Sequence, residues 1–103
     1  MVNQTIIETV KNYVKMIPDE LRVKKAFLFG SYANGLEKEE SDIDIAIVLG
    51  NMTDFFKTQM ILMRLRRNID LRIEPHPIGE KDFNVKNPFA IEIQKKGIEI
   101  KID

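Results

Sequence analysis

Ile43, Ile45, Ile47 and Leu49 occupy every second position of one short stretch, and Asp42, Asp44, Ala46 and Val48 fill the positions between them. Side chains alternate faces along a β-strand. This stretch therefore has one face of branched apolar groups, which must be buried, and one face that opens with two carboxylates. Ala46 continues the carboxylate face with a small side chain, leaving room for something to lie there. Two carboxylates this close repel one another unless a cation neutralises them. A hard divalent ion with oxygen ligands, magnesium, suits that role.

The segment upstream supplies a second constraint. Val23 to Phe29 is an apolar strand that runs into Gly30-Ser31, and ten residues separate Ser31 from Asp42. Ser31 stands where a short helix or turn begins, so its hydroxyl and the local N–H groups can face an anion. Gly30 lets the backbone approach a phosphate without a Cβ in the way. A phosphate-holding turn and paired carboxylates are the two halves of a metal-dependent phosphoryl or nucleotidyl transfer site. A third carboxylate follows in Asp70-Leu71-Arg72-Ile73-Glu74, which alternates cleanly and predicts a strand over 70–74. If that strand pairs beside the Asp42 strand, Asp70 joins the cluster, and three aspartates can hold two metals about 4 Å apart. Arg72 shares the face of Asp70; a triphosphate contact and a surface ion pair are both open to it.

Elsewhere the pattern predicts a helix over about 4–16 with Ile6, Val10, Val14 and Ile17 on one stripe, capped by Asn3 or Thr5. A long helix runs from Asp54 to Asn68, where Phe55, Phe56, Met60, Met63 and Leu65 recur at helical spacing and are expected in the core. The three Met between 52 and 63 (Met52, Met60 and Met63) could alternatively form an adaptable partner surface. Pro75-His76-Pro77 should end the third strand, with His76 exposed and without a chemical role. Pro88 opens a last helix that Gly97 closes, and a final strand is expected from Ile98 to Ile102. The αβ–αβ–αβ–αβ order gives an α/β (α+β) fold, a mixed sheet of about four to five strands with helices on one face.

Bulk properties bound the function. The 103 residues suit a single domain over 1–103, too small for a separate substrate-binding domain. The formal net charge is zero, which argues against a grip on long nucleic acid. There is no cysteine, so disulfides, zinc–thiolate sites and thiol chemistry are excluded. No run is long enough for a membrane span, and the first residues do not resemble a signal peptide, so a cytoplasmic location is expected.

The Gly30-Ser31, ten residues, Asp42-Ile43-Asp44 pattern, with a later apolar-Asp-apolar stretch, resembles the DNA polymerase beta-type nucleotidyltransferase superfamily. The short chain is most similar to its minimal nucleotidyltransferases, the antitoxins of pairs with HEPN-domain toxins. The likeness extends through the ending Pro88 to Ile100. One departure is the turn after Gly30-Ser31, where relatives often carry a basic residue and this chain has Tyr32 and Asn34. The resemblance implies the nucleotidyltransferase fold and transfer of AMP from ATP, with two magnesium ions, to a hydroxyl acceptor. It implies Asp42, Asp44 and Asp70 as catalytic metal ligands, and Gly30, Ser31, Asp42 and Asp44 at the nucleotide. The implied acceptor is a tyrosine of a HEPN ribonuclease toxin. Neutralisation of the toxin by binding alone, and transfer to a small molecule or an RNA end, are the alternatives.

Overall fold

A computed structural model describes residues 3–102. Residues 1, 2 and 103, which the single-domain expectation includes, lie outside the described residues. The elements come in the expected order. Helix α1 (Gln4–Lys15) begins at Asn3, whose side chain accepts the Thr5 N–H at 2.8 Å. Strand β1 (Val23–Phe29) runs into the short helix α2 (Ser31–Asn34), and β2 (Ile43–Leu49) follows the charged loop. Helix α3 (Phe55–Leu65) is capped by Asp54 through the Lys57 N–H and ends in a 3₁₀ turn over Arg66–Asn68. Strand β3 (Ile73–Gly79), helix α4 (Pro88–Lys96) and strand β4 (Ile98–Ile100) complete it. Asn87 caps α4 by accepting the Phe89 and Ala90 N–H groups, with Pro88 at the first helical position.

The four strands form one sheet in the order β3-β2-β1-β4. β1 is antiparallel to both β2 and β4, and β2 is parallel to β3. The sheet is therefore mixed, as its sequence implied. Its main core lies on the isoleucine face: Ile43, Ile45, Ile47 and Leu49 are fully or almost fully buried against α1 residues, Leu62 of α3 and the Ala26/Leu28 face of β1. Burying each such side chain contributes about 1.5–3 kcal/mol. The expectation of helices on one face holds for α1 and α3. Helix α4 lies on the other face, where Ile93 and Phe89 cover Phe27, Phe29, Ala46, Val48 and Ile78. The reason is that only the Asp42/Asp44 end of that face is polar; its continuation is apolar and needs a cover.

Two further expectations are corrected. The third strand does not span 70–74; it starts at Ile73 and runs through both prolines to Gly79. β3 is an edge strand, so Pro75 and Pro77 need only face outward, where no ladder N–H is missed. The Pro75 carbonyl points that way and accepts from the Gln59 side chain at 3.1 Å. On α3, Thr58 and Leu62 are buried, whereas Phe55, Phe56 and Met60 are exposed, not core. Among the described residues no helix is long and apolar enough to cross a membrane.

Tyr13 joins the two helices of the main core. Its ring is fully buried and its hydroxyl donates to the Leu62 carbonyl at 2.7 Å. Burial pushes that hydroxyl's pKa well above the ordinary phenol value, so it remains a donor across the accessible pH range. Tyr13→Phe should destabilise the protein by about 1–2 kcal/mol, because the Leu62 carbonyl loses its partner inside the core. Urea unfolding of the two proteins measures the difference.

Candidate active site

The site is built where β1 ends and β2 and β3 begin. Phe29 of β1 pairs with Asp44 of β2, and Asp44 pairs with Glu74 of β3. One row across three strands thus sets Phe29, Asp44 and Glu74 side by side on the same face. Asp42 lies one residue ahead of β2 and is exposed; Asp44 is 28% exposed. The chain leaves the row through Gly30, whose φ of 73° and ψ of −150° are accessible to glycine almost alone. A Cβ at Gly30 would collide with the Asp44 carboxylate oxygen Oδ2. The glycine therefore does two things: it turns the chain into α2, and it lets a carboxylate lie against the backbone. Ser31 opens α2 immediately beside it.

A groove of about 460 Å³ adjoins this turn, lined by Phe29, Gly30, Ala33 and Asn34 on one side and Glu92, Ile93 and Lys96 of α4 on the other. Lys96, 3.5 Å from Glu92, brings a cation to the side of the turn that carries none of its own.

Asp70 is placed differently from the sequence reading. It precedes β3, and its carboxylate is gripped by Arg72: Nε at 3.0 Å and the backbone N–H at 2.9 Å on Oδ1, and a terminal guanidinium nitrogen at 2.7 Å on Oδ2. Arg72 also donates to the hydroxyl of Tyr32, the buried residue of α2, at 3.0 Å. The pair thus ties the loop before β3 to the turn after Gly30, and of the two roles open to Arg72 the structure shows the ion pair. The side-chain hydrogen bond from Arg72 holds the Asp70 carboxyl below the usual carboxylate range, against the opposing effect of burial. The same bond raises the Arg72 guanidinium further.

Two residues to which the sequence reading gave no role lie beside Asp44, one in its row and one in the next. Glu74 takes the position beside Asp44, with Arg66 3.6 Å from its carboxylate. His76 pairs in register with Ala46 and places Nε2 3.2 Å from Asp44 Oδ1, its ring edge-on to Phe29 at 5.0 Å between centroids. The signal was available. Asp70, Arg72, Glu74 and His76 share a period of two, but the two prolines hid its extension past residue 74. With Glu74 turned to Arg66 and Asp44 to His76, no three acidic or imidazole groups converge on an ion position among the described residues. The donors themselves are carboxylate oxygens, which suit a hard divalent cation.

A family profile described as the nucleotidyltransferase domain matches residues 7–100. The chain belongs to that family. It is 35% identical over 98 residues to "Putative protein adenylyltransferase MJ0141" of Methanocaldococcus jannaschii, covering 92% of this chain and 98% of that one. It is 33% identical over 96 residues to MJ1379 of the same organism, which carries the same description, covering 91% and 88%. Among solved structures it resembles a toxin–antitoxin complex crystallised with AMP-PNP, with a TM-score of 0.66 at 19% identity over 94% of this chain and 73% of the other. It also resembles a nucleotidyltransferase structure from Sulfolobus solfataricus, with a TM-score of 0.61 at 19% identity over 93% and 79%. At such identities the structures show the fold, and the family shows that the protein is an enzyme, a nucleotidyltransferase.

Two predictions follow from the geometry. Gly30→Ala should destabilise the protein more than Gly35→Ala, although both glycines have positive φ, 73° and 76°. Nothing lies within 4 Å of a Cβ at Gly35, so that change reads backbone strain alone, about 1 kcal/mol. Gly30→Ala adds the collision with Asp44 to a strain of about 1–3 kcal/mol; equal midpoints in urea would refute the close approach. Asp70, with a depressed pKa, contributes stability above the ordinary carboxylate pKa and loses it as pH falls through its own lower value. The midpoint difference between wild type and Asp70→Asn should therefore be largest above the ordinary carboxylate range and shrink as pH falls below it.

Proposed function

We propose that this nucleotidyltransferase transfers AMP from ATP to a hydroxyl of a partner protein, and that the partner is a toxin silenced by the modification. The observation that carries the reading is the Gly30–Asp44 contact, which joins the phosphate turn to the paired carboxylates at one point. The relatives described as protein adenylyltransferases and the toxin–antitoxin structures of the same fold support a protein acceptor. A tyrosine of a HEPN-type toxin remains the acceptor proposed from the sequence, and a cytoplasmic setting suits ATP as donor.

Gly30 and Ser31 approach the β- and γ-phosphates, the Ser31 hydroxyl donating one hydrogen bond. Lys96 faces the same groove and supplies the cation missing from the turn. Asp42 and Asp44 would hold magnesium, two ions in the full site. We assign the third carboxylate to Glu74, because the register sets it beside Asp44 while Asp70 is committed to Arg72. When bound, magnesium neutralises triphosphate charge and lowers the pKa of the acceptor hydroxyl. The acceptor oxygen would form its bond to the α-phosphorus as the bond to pyrophosphate breaks, with the hydroxyl proton passing to solvent water. The chain's own residues orient the two reactants; positioning supplies most of the remaining catalysis.

Binding-only neutralisation is a second reading, favoured by one observation: Glu74 and Asp44 already have protein partners. One experiment separates the readings and the two third-carboxylate assignments. Purified protein is incubated with its toxin partner, magnesium and ATP labelled in the α-phosphate. Asp42→Asn, Asp44→Asn and Glu74→Gln should reduce label on the partner to background, with the partner still bound and active. Asp70→Asn should keep turnover while losing stability. Loss of turnover in Asp70→Asn at full folding, with Glu74→Gln active, would restore Asp70 to the metal site. Full toxin neutralisation by Asp42→Asn would establish the binding-only reading.

A further inference from the structure

The exposed side of α3 is the least explained surface of the molecule. Phe56 is 78% exposed, Met60 56% and Leu71 67%. These residues and Met63 line a groove of about 450 Å³ whose other walls are Gln59, Arg64, Arg66 and Arg67. Large apolar side chains grouped in this way mark interaction sites. The groove's charged lining is entirely cationic: three arginines and no carboxylate. Its position is also informative. Arg66 reaches from the groove to the Ile73 carbonyl at 2.9 Å and to Glu74, so the groove ends beside the row that carries Asp44.

We propose that this groove docks the acceptor protein, through a helix whose apolar stripe is flanked by Asp and Glu. Met60 and Met63 fit a stripe of varied shape because their side chains are unbranched and adaptable. The arginines select carboxylate flanks, since a fork of N–H donors pairs with them and rejects cationic ones. A second copy of this chain related by a two-fold axis is disfavoured, because it would set arginine against arginine. Long nucleic acid is disfavoured by the zero net charge and by the aliphatic character of Met60, Met63 and Leu71. A helix held here has its end next to Glu74, which delivers a hydroxyl near that end to the site. The inference rests on the reading of a protein acceptor, and it names the chemistry by which that acceptor is recognised.

The test uses two synthetic helical peptides with the same Leu/Phe stripe, one flanked by glutamates and one by lysines, titrated against the full chain by fluorescence anisotropy. The glutamate peptide should bind at least roughly tenfold more tightly than the lysine peptide. Met60→Glu and the Arg64→Glu/Arg67→Glu double variant should each weaken it by a similar factor, with ATP affinity unchanged. These side chains are exposed, so the variants should fold, and circular dichroism checks that they do. Equal binding of the two peptides, or unaltered binding by both variants, would overturn the proposal. So would a dimer in sedimentation that Met60→Glu abolishes, or binding of anionic vesicles or RNA through the same residues in place of the peptide. The two levels of argument separate cleanly: peptide binding without AMP transfer to the partner by the wild type would fail the function and keep the surface. Transfer to the partner that Met60→Glu leaves unchanged would fail the surface and keep the function.

Discussion

The row Phe29–Asp44–Glu74 is the constraint on which the rest of the structure depends. It is fixed by two different pairings, antiparallel on one side of β2 and parallel on the other. A slip of one residue in either pairing would turn an isoleucine to the site and a carboxylate to the core. The full burial of Ile43, Ile45 and Ile47 is what prevents the slip. The core thus specifies the site through register, and no loop has to be held in place by the ligand for the carboxylate row to exist. Gly30 then completes the arrangement, because the chain must leave β1 next to Asp44 without a side chain of its own.

The two faces of the sheet divide these tasks. The isoleucine face supplies stability through α1 and α3, joined by the Tyr13–Leu62 hydrogen bond. The opposite face is polar only at the ends of the strands where the site lies, and α4 covers the remainder. Phe29, Phe89 and His76 form the boundary between the two regions, with Phe29 edge-on to both other rings. The apolar cover lowers the water content around Asp44 on one side while leaving it partly open on the other. Charge–charge contacts in such a half-enclosed place are stronger than on an open surface, which supports the proposed triphosphate site.

The central part of this arrangement was legible in the sequence because strand periodicity carries it. Alternation from Asp42 to Leu49 determined which face was core, and the Gly30-Ser31 turn placed the second half of the site. Legibility failed where a local signal and a tertiary fact disagree. Proline usually ends a strand, but β3 lies at the sheet edge and its prolines face outward, so the strand runs on and brings in His76. Phe55, Phe56 and Met60 have the spacing of a buried stripe, yet α3 packs through Thr58 and Leu62. Periodicity identifies a face; it does not say whether that face meets this chain or another. Asp70 lies in the loop before β3, and its engagement by Arg72 is a side-chain contact that periodicity cannot show.

The availability of a carboxylate for metal is decided by how firmly the protein already holds it. Asp70 is 19% exposed and accepts from the guanidinium of Arg72 at both oxygens, with a backbone N–H in addition. Two-pronged, charge-assisted bonds of that kind are the strong ones. Glu74 is 39% exposed and meets Arg66 through a single contact of 3.6 Å, at the weak end of surface ion pairs, worth about 0–1 kcal/mol. Asp44 touches His76 at 3.2 Å, both side chains being partly open to solvent. A divalent cation competing for these groups would exchange the Glu74 and Asp44 contacts at small cost, while drawing Asp70 away would break three hydrogen bonds from Arg72, the residue that also donates to Tyr32. The firm hold of Arg72 on Asp70 is the reason for proposing that Asp70 anchors the turn and is not the third ligand. The more loosely held Glu74 is, on the same ground, the carboxylate proposed for the metal.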